Sequence, residues 1–158
     1  MTITITPGTT DLGNKRIDWE EINKQFLQQL DVKIIHIEPL QGGANSQVAK
    51  IITHQEQTFL LKTYLQPMGD TQDRLGTEFD GLRFLWQQNI RSIPEPLFAD
   101  RQNNFAVYRF INGQMLNSTE ITMQHLSEIV KFFSILQSLI NIKNAQKLPS
   151  AAEDCFTL

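Results

Sequence analysis

Two residues of opposite charge, Lys62 and Glu78, stand where charge is costly. Lys62 interrupts the apolar run Thr58-Phe59-Leu60-Leu61-Lys62-Thr63-Tyr64. In a strand, alternation puts Leu60, Lys62 and Tyr64 on one face, opposite Phe59 and Leu61. An ammonium in that position either finds an anion or snorkels to water from an edge. Glu78 follows Leu75 by three residues and precedes Leu82 by four and Leu85 by seven, so helical spacing sets it on an apolar face. A carboxylate there calls for a cation. Lys62, from the preceding strand, is one candidate, and Arg74, one helical turn earlier, is the other. An ammonium oriented by a carboxylate can do electrostatic chemistry, such as binding phosphate oxygens.

Two further segments bear on that chemistry. Leu40-Gln41-Gly42-Gly43-Ala44-Asn45-Ser46-Gln47-Val48 sets paired glycines between two strands. Glycines let a backbone approach a phosphate and aim N–H groups at it, and Asn45 and Ser46 add short polar side chains. The same residues also suit a plain hairpin turn, and they match neither a Walker A motif nor a dinucleotide fingerprint. Phe105-Ala106-Val107-Tyr108-Arg109-Phe110-Ile111-Asn112-Gly113 reads as a strand running into a bend. It can offer backbone N–H and C=O groups to an adenine edge, or it can be a core strand that ends at a turn. His36, His54 and His125 lack metal-ligand spacing and read as strand, turn and helix-surface residues. Cys155 has no base beside it and reads as unreactive. Trp19 and Trp86 read as core.

The elements that must position these residues are legible from periodicity. Residues 1–16 read as a flexible tail rich in Thr and Gly. Asp18 with Glu21 forms a capping-box signal for a helix over 18–30, with Trp19, Ile22, Phe26, Leu27 and Leu30 at helical spacing. Strands are expected over 32–40, 48–53 and 58–65, and a helix over 72–89 with Leu75, Phe79, Leu82, Leu85 and Trp86 on one face. Ile93-Pro94-Glu95-Pro96 stops that helix. A hairpin over 97–100 and 105–111 turns at Arg101 to Asn104. Ser118 or Thr119 caps a last helix over 119–141, whose expected buried stripe is Met123, Leu126, Ile129, Val130, Phe133, Leu136 and Ile140. The fold class is therefore α+β: a five-stranded antiparallel sheet with one helix inserted after the third strand, plus N-terminal and C-terminal helices.

Composition narrows the class. With 158 residues, 41% hydrophobic and 20% charged, the chain suits one globular domain. A net charge of -3 argues against nucleic acid as a partner. A single cysteine excludes an internal disulfide and suits a cytoplasmic setting. The N-terminus resembles no signal peptide, and no apolar run reaches a membrane span.

In order and separation, Gly42-Gly43-Ala44-Asn45, Leu60-Leu61-Lys62, Glu78 with Leu82 and Leu85, Ile93-Pro94-Glu95-Pro96-Leu97, and Val107 to Gly113 resemble the aminoglycoside phosphotransferase and choline kinase family. The resemblance covers about residues 32–140. It implies a protein-kinase-like N-terminal lobe that binds ATP, over residues 17–141. It also implies a cradle from Gly42, Gly43, Asn45 and Ser46, and a Lys62–Glu78 pair that positions phosphates. Adenine would take hydrogen bonds from the Arg109 carbonyl and the Ile111 amide, with Val48 and Leu60 packed on the base.

The sequence departs from the family at Arg109, where members carry an acid. It also lacks the His-Gly-Asp loop, its following asparagine and the second aspartate that supply base and magnesium ligands. Residues 142–158 are thus expected to be a tail that begins a truncated C-terminal lobe, with magnesium bound only if such a lobe is supplied. Two functions remain open. One is the nucleotide-binding part of a phosphotransferase, inactive alone or one half of a split enzyme. The other is a non-catalytic interaction module that keeps the lobe's shape. Either could associate through an exposed cleft face.

Overall fold

The computed structural model of this chain describes residues 18–43, 45–66 and 71–149, together with the backbone of 3–4, 11–12 and 15–16. Near the N-terminus are three two-residue strands, β1 (Ile3–Thr4), β2 (Asp11–Leu12) and β3 (Lys15–Arg16). β2 pairs with β3. Helix α1 (Trp19–Leu30) starts where the Asp18 side chain accepts the backbone N–H groups of Glu20 and Glu21, both at 3.1 Å. Glu21 bonds to Lys24 and Gln25 one turn on. The cap expected from the sequence is thus made by Asp18, satisfying two of the orphan donors of the first turn.

The main sheet is built from β4 (Ile34–Leu40), β5 (Ser46–Thr53), β6 (Thr58–Tyr64), β7 (Pro96–Asp100) and β8 (Phe105–Arg109). Helix α2 (Arg74–Gln87) is inserted between β6 and β7. The spatial order is β1-β4-β5-β6-β8-β7, with every pair antiparallel. This is the five-stranded α+β arrangement expected, with one addition. Ile3 and Thr4, within the stretch read as a tail, pair with Ile37 and His36 as a sixth, edge strand. Two residues are too short to carry a periodic signal of their own.

Each face of the sheet is covered by a helix. Trp19, Ile22 and Phe26 of α1 pack on Ile37, Ile51, Phe59, Leu61, Phe105 and Val107. The Phe26 ring meets Phe59 and Phe98 edge-on, with centroids 5.6 Å apart in both cases. Leu75 and Phe79 of α2 pack on the other face, on Tyr64, Ala106 and Tyr108. β8 has a core on both sides, and this explains its unbroken apolar run, since a strand covered on both faces need not alternate. Within α2 the burial differs in detail from the expected face: Phe84 is buried, while Leu82, Leu85 and Trp86 are partly exposed.

The C-terminal helix corrects the sequence reading more sharply. Helix α3 runs Met123–Leu139 and is capped by Thr122, whose hydroxyl accepts the His125 N–H. The region around Ser118 and Thr119 is instead a short 3-10 turn, Ser118–Glu120, closed by Asn117 and Glu120. No residue of α3 is buried. Met123, Leu126, Ile129, Val130 and Phe133 are exposed, as is Ile140 just beyond, and Leu136 is half-buried. Periodicity shows which side of a helix can be buried, but burial needs an element opposite, and no described element covers this stripe.

Candidate functional site

Lys62 and Glu78 meet. β6 presents the lysine and α2 presents the carboxylate, with Nζ and Oε2 2.5 Å apart. The register of the sheet decides what shares their face. Val48 lies opposite Lys62, and Lys62 lies opposite Ala106. Leu60 lies opposite Tyr108. Directly opposed residues of an antiparallel pair point to the same side. Val48, Leu60, Lys62, Tyr64 and Tyr108 therefore form one surface, with α2 over part of it.

Beside the ion pair is a cleft of about 250 Å³, lined by Asn45, Ser46, Lys62, Tyr64, Arg74, Thr77 and Glu78. Four of the residues expected from the sequence, Asn45, Ser46, Lys62 and Glu78, are thus brought together. Two were not anticipated as lining residues, Arg74 and Thr77, whereas alternation on the strand had already set Tyr64 on the face of Lys62. Thr77 and Arg74 face the cleft because α2 lays its first turns across the end of β6, and sequence spacing does not carry that placement.

The glycine turn has a steric cause. A Cβ on Gly42 would stand 2.4 Å from the Ser46 carbonyl oxygen, so only glycine fits. Gly43 has open space around its missing Cβ, and its carbonyl accepts the Ser46 N–H at 3.4 Å. The two glycines shape the turn, while the residues that line the cleft are Asn45 and Ser46 just after it. Leu65 donates its N–H to the Asn45 carbonyl at 2.9 Å, holding the turn against the end of β6.

Arg109 and Ile111 lie at the opposite end of the same surface, where β8 leaves the sheet. The Arg109 N–H donates to the Glu95 carbonyl at 2.9 Å, and its side chain pairs with Glu95 and lies over the Phe59 ring. The guanidinium is therefore turned to the α1 face, leaving only backbone for any contact in the cleft. Ile111 is 53% exposed.

Behind the ion pair is a second polar feature. The hydroxyls of Tyr64 and Tyr108 are 2.8 Å apart and buried. Burial holds both phenols protonated well above their usual range, helped at Tyr64 by its neighbours Tyr108 and Glu78. The described residues contain no group of three or more His, Cys, Asp or Glu side chains able to hold a metal ion. No helix among them is long and apolar enough to cross a membrane.

No protein-family model matches the chain, and no curated protein matches it. Among solved structures, the chain is similar to the crystal structure of spectinomycin phosphotransferase, APH(9)-Ia, in complex with ADP and spectinomycin. Sequence identity is 14%, and the TM-score is 0.43 over 86% of this chain and 49% of that one. The chain spans about half the length of that protein.

Proposed function

We propose that this chain is the ATP-binding N-terminal lobe of a small-molecule phosphotransferase of the aminoglycoside phosphotransferase and choline kinase kind. The observation that carries the reading is the Lys62–Glu78 pair at the mouth of a polar cleft. It joins a lysine on an inner strand to a glutamate on the helix inserted directly after that strand. In phosphoryl-transfer enzymes of this architecture, such a pair holds the ammonium where it contacts nucleotide phosphates. Lys62 and Arg74 supply positive charge to the cleft, and Asn45, Ser46 and Thr77 supply hydrogen-bonding groups, a donor set suited to phosphate oxygens. Val48 and Leu60 extend the same surface with apolar side chains on which a base can stack. In this reading the backbone of Arg109 and Ile111 reads the adenine edge.

Phosphoryl transfer also needs a base and metal ligands, and His-Gly-Asp is absent from the sequence. The proposed activity of these 158 residues alone is therefore nucleotide binding. That absence favours a second reading, a non-catalytic binding module or one half of a split kinase. Titration calorimetry with ATP and with adenosine tests the first reading. The wild-type chain is expected to bind ATP, and Lys62→Ala to weaken ATP about tenfold or more while sparing adenosine. No heat of binding at millimolar ATP would sink it.

A further inference from the structure

Lys50 stands on the same face of the sheet as Lys62, outside the residues that line the phosphate cleft. In the register of the strands it lies opposite Glu38 on β4 and opposite Leu60 on β6. Opposed residues point to one side, so Lys50 shares the surface that carries Val48 and Leu60. Along β5 its neighbours on that side are Val48 and Ile52. A lysine set among three aliphatic side chains loses hydration, and its stem packs no better than a methionine would.

Its own partners do not account for the charge. Glu38 approaches Nζ only to 3.9 Å, and its side chain is 49% exposed, so the pair is a screened surface contact. The other partner is the Phe110 ring, with Nζ 5.0 Å from its centroid. Phe110 donates its N–H to the Thr58 carbonyl at 3.4 Å, which holds it beside β6, one step beyond Leu60 on the same side. It is also the residue between Arg109 and Ile111. The four residues given to the base on separate grounds, Val48, Leu60, Arg109 and Ile111, therefore lie around one cation.

A lysine can only donate. Guanine presents O6 and N7, both acceptors, whereas adenine presents N7 together with its N6 amine, a donor. An ammonium beside the base is thus complementary to a 6-oxopurine and mismatched with the amine of adenine. The connector permits either base, because a carbonyl and an amide can pair with guanine N1–H and O6 as well as with adenine N6–H and N1. We propose that Lys50 is a specificity-determining residue that makes this site favour a guanine nucleotide over an adenine nucleotide. The proposal rests on the nucleotide-binding reading above and deepens it by naming the base.

Titration calorimetry of the wild-type chain with GTP, ITP and ATP reads the preference directly. ITP keeps O6 and N7 but lacks the 2-amino group, so it isolates the acceptors that Lys50 would meet. GTP and ITP are expected to bind about tenfold more tightly than ATP, the ratio that one hydrogen bond to a charged group gives. Lys50→Met keeps the aliphatic stem, removes the donor and should erase the preference. Lys50→Arg keeps a donor-only cation and should retain it. Thermal melts check that both variants fold, and the wild-type comparison stands without them. Wild-type binding of ATP as tight as that of GTP and ITP overturns the proposal and leaves the nucleotide reading in place. So does a preference that survives in Lys50→Met, or tight GTP with weak ITP, which would assign the recognition to the 2-amino group. A wild-type chain that binds none of the three overturns both the proposal and the nucleotide reading.

Discussion

Lys62 and Glu78 are 22% and 36% exposed at their side chains, so water screens their attraction and the pair resembles a surface bridge, with a contribution of about 0–1 kcal/mol. Glu78→Gln should therefore shift the melting temperature little while weakening ATP binding, because the ammonium loses its orienting charge. Parallel thermal melts and calorimetry check both halves of that statement. The tyrosine pair behaves differently, because it is buried. In the unfolded chain each phenol loses its proton near pH 10, about its unperturbed value. In the folded chain both hold it to higher pH. The unfolded state thus binds fewer protons above that point. The stability is fully present below about pH 10 and falls as pH rises through the alkaline range, by up to about 1.4 kcal/mol per pH unit for each tyrosine. Denaturant melts at neutral and strongly alkaline pH should show this loss in the wild type, and a smaller one in the Tyr64→Phe/Tyr108→Phe variant. Equal losses would contradict the assignment.

At the scale of elements, the decisive join is the start of α2, because that helix carries Glu78 to the sheet. Asp73 caps it by accepting the Gly76 N–H at 2.8 Å, and its other oxygen accepts from Arg101 at 3.2 Å. Arg101 also reaches Asp80 at 2.7 Å, so the turn between β7 and β8 is tied to α2 at two points. A Cβ at Gly76 would stand 2.1 Å from the Asp73 carboxylate and 2.8 Å from the Arg101 guanidinium. Helix propensity alone makes Gly76→Ala stabilising by about 1 kcal/mol. The crowded cap removes that gain, because Asp73 cannot move aside and still hold both bonds. Gly76→Ala is expected to lose the cap and come out about neutral, whereas Asp73→Ala, with no propensity gain at Gly76, costs about 1 kcal/mol. Urea melts of the two variants measure it, and a more stable Gly76→Ala protein would show that the cap is not required.

Across the whole molecule, stability is concentrated in the sheet and its two covering helices. Phe26, Ile51 and Val107 are 0% exposed, whereas α3 buries no residue. Local opening free energy follows burial and contact density. Hydrogen exchange should therefore find the amides of α3 far less protected than those of β5 and β6. Phe133→Ser on α3 should change stability by no more than about 0.5 kcal/mol, whereas Phe59→Ala in the core should cost about 3–5 kcal/mol. Strong protection of α3 would mean that its exposed apolar stripe is covered in solution.

Taken alone, the sequence determined the order of elements and the two charges that do not belong in apolar surroundings. Both are local properties. Alternation over 58–64, helical spacing around Glu78, the Asp18 cap and the prolines at 94 and 96 act within a few residues of themselves. The sequence also determined that Glu78 needed a cation; spacing left Lys62 and Arg74 as candidates, and the family resemblance implied Lys62. The tertiary structure supplies the contact itself, because register and helix placement set distances between elements, which spacing along the chain does not encode. The Tyr64–Tyr108 hydroxyl pair bridges 44 positions and was invisible for the same reason. The exposed stripe of α3 shows the converse. Periodicity states which face of a helix is apolar, and only the surrounding structure decides whether anything lies against it.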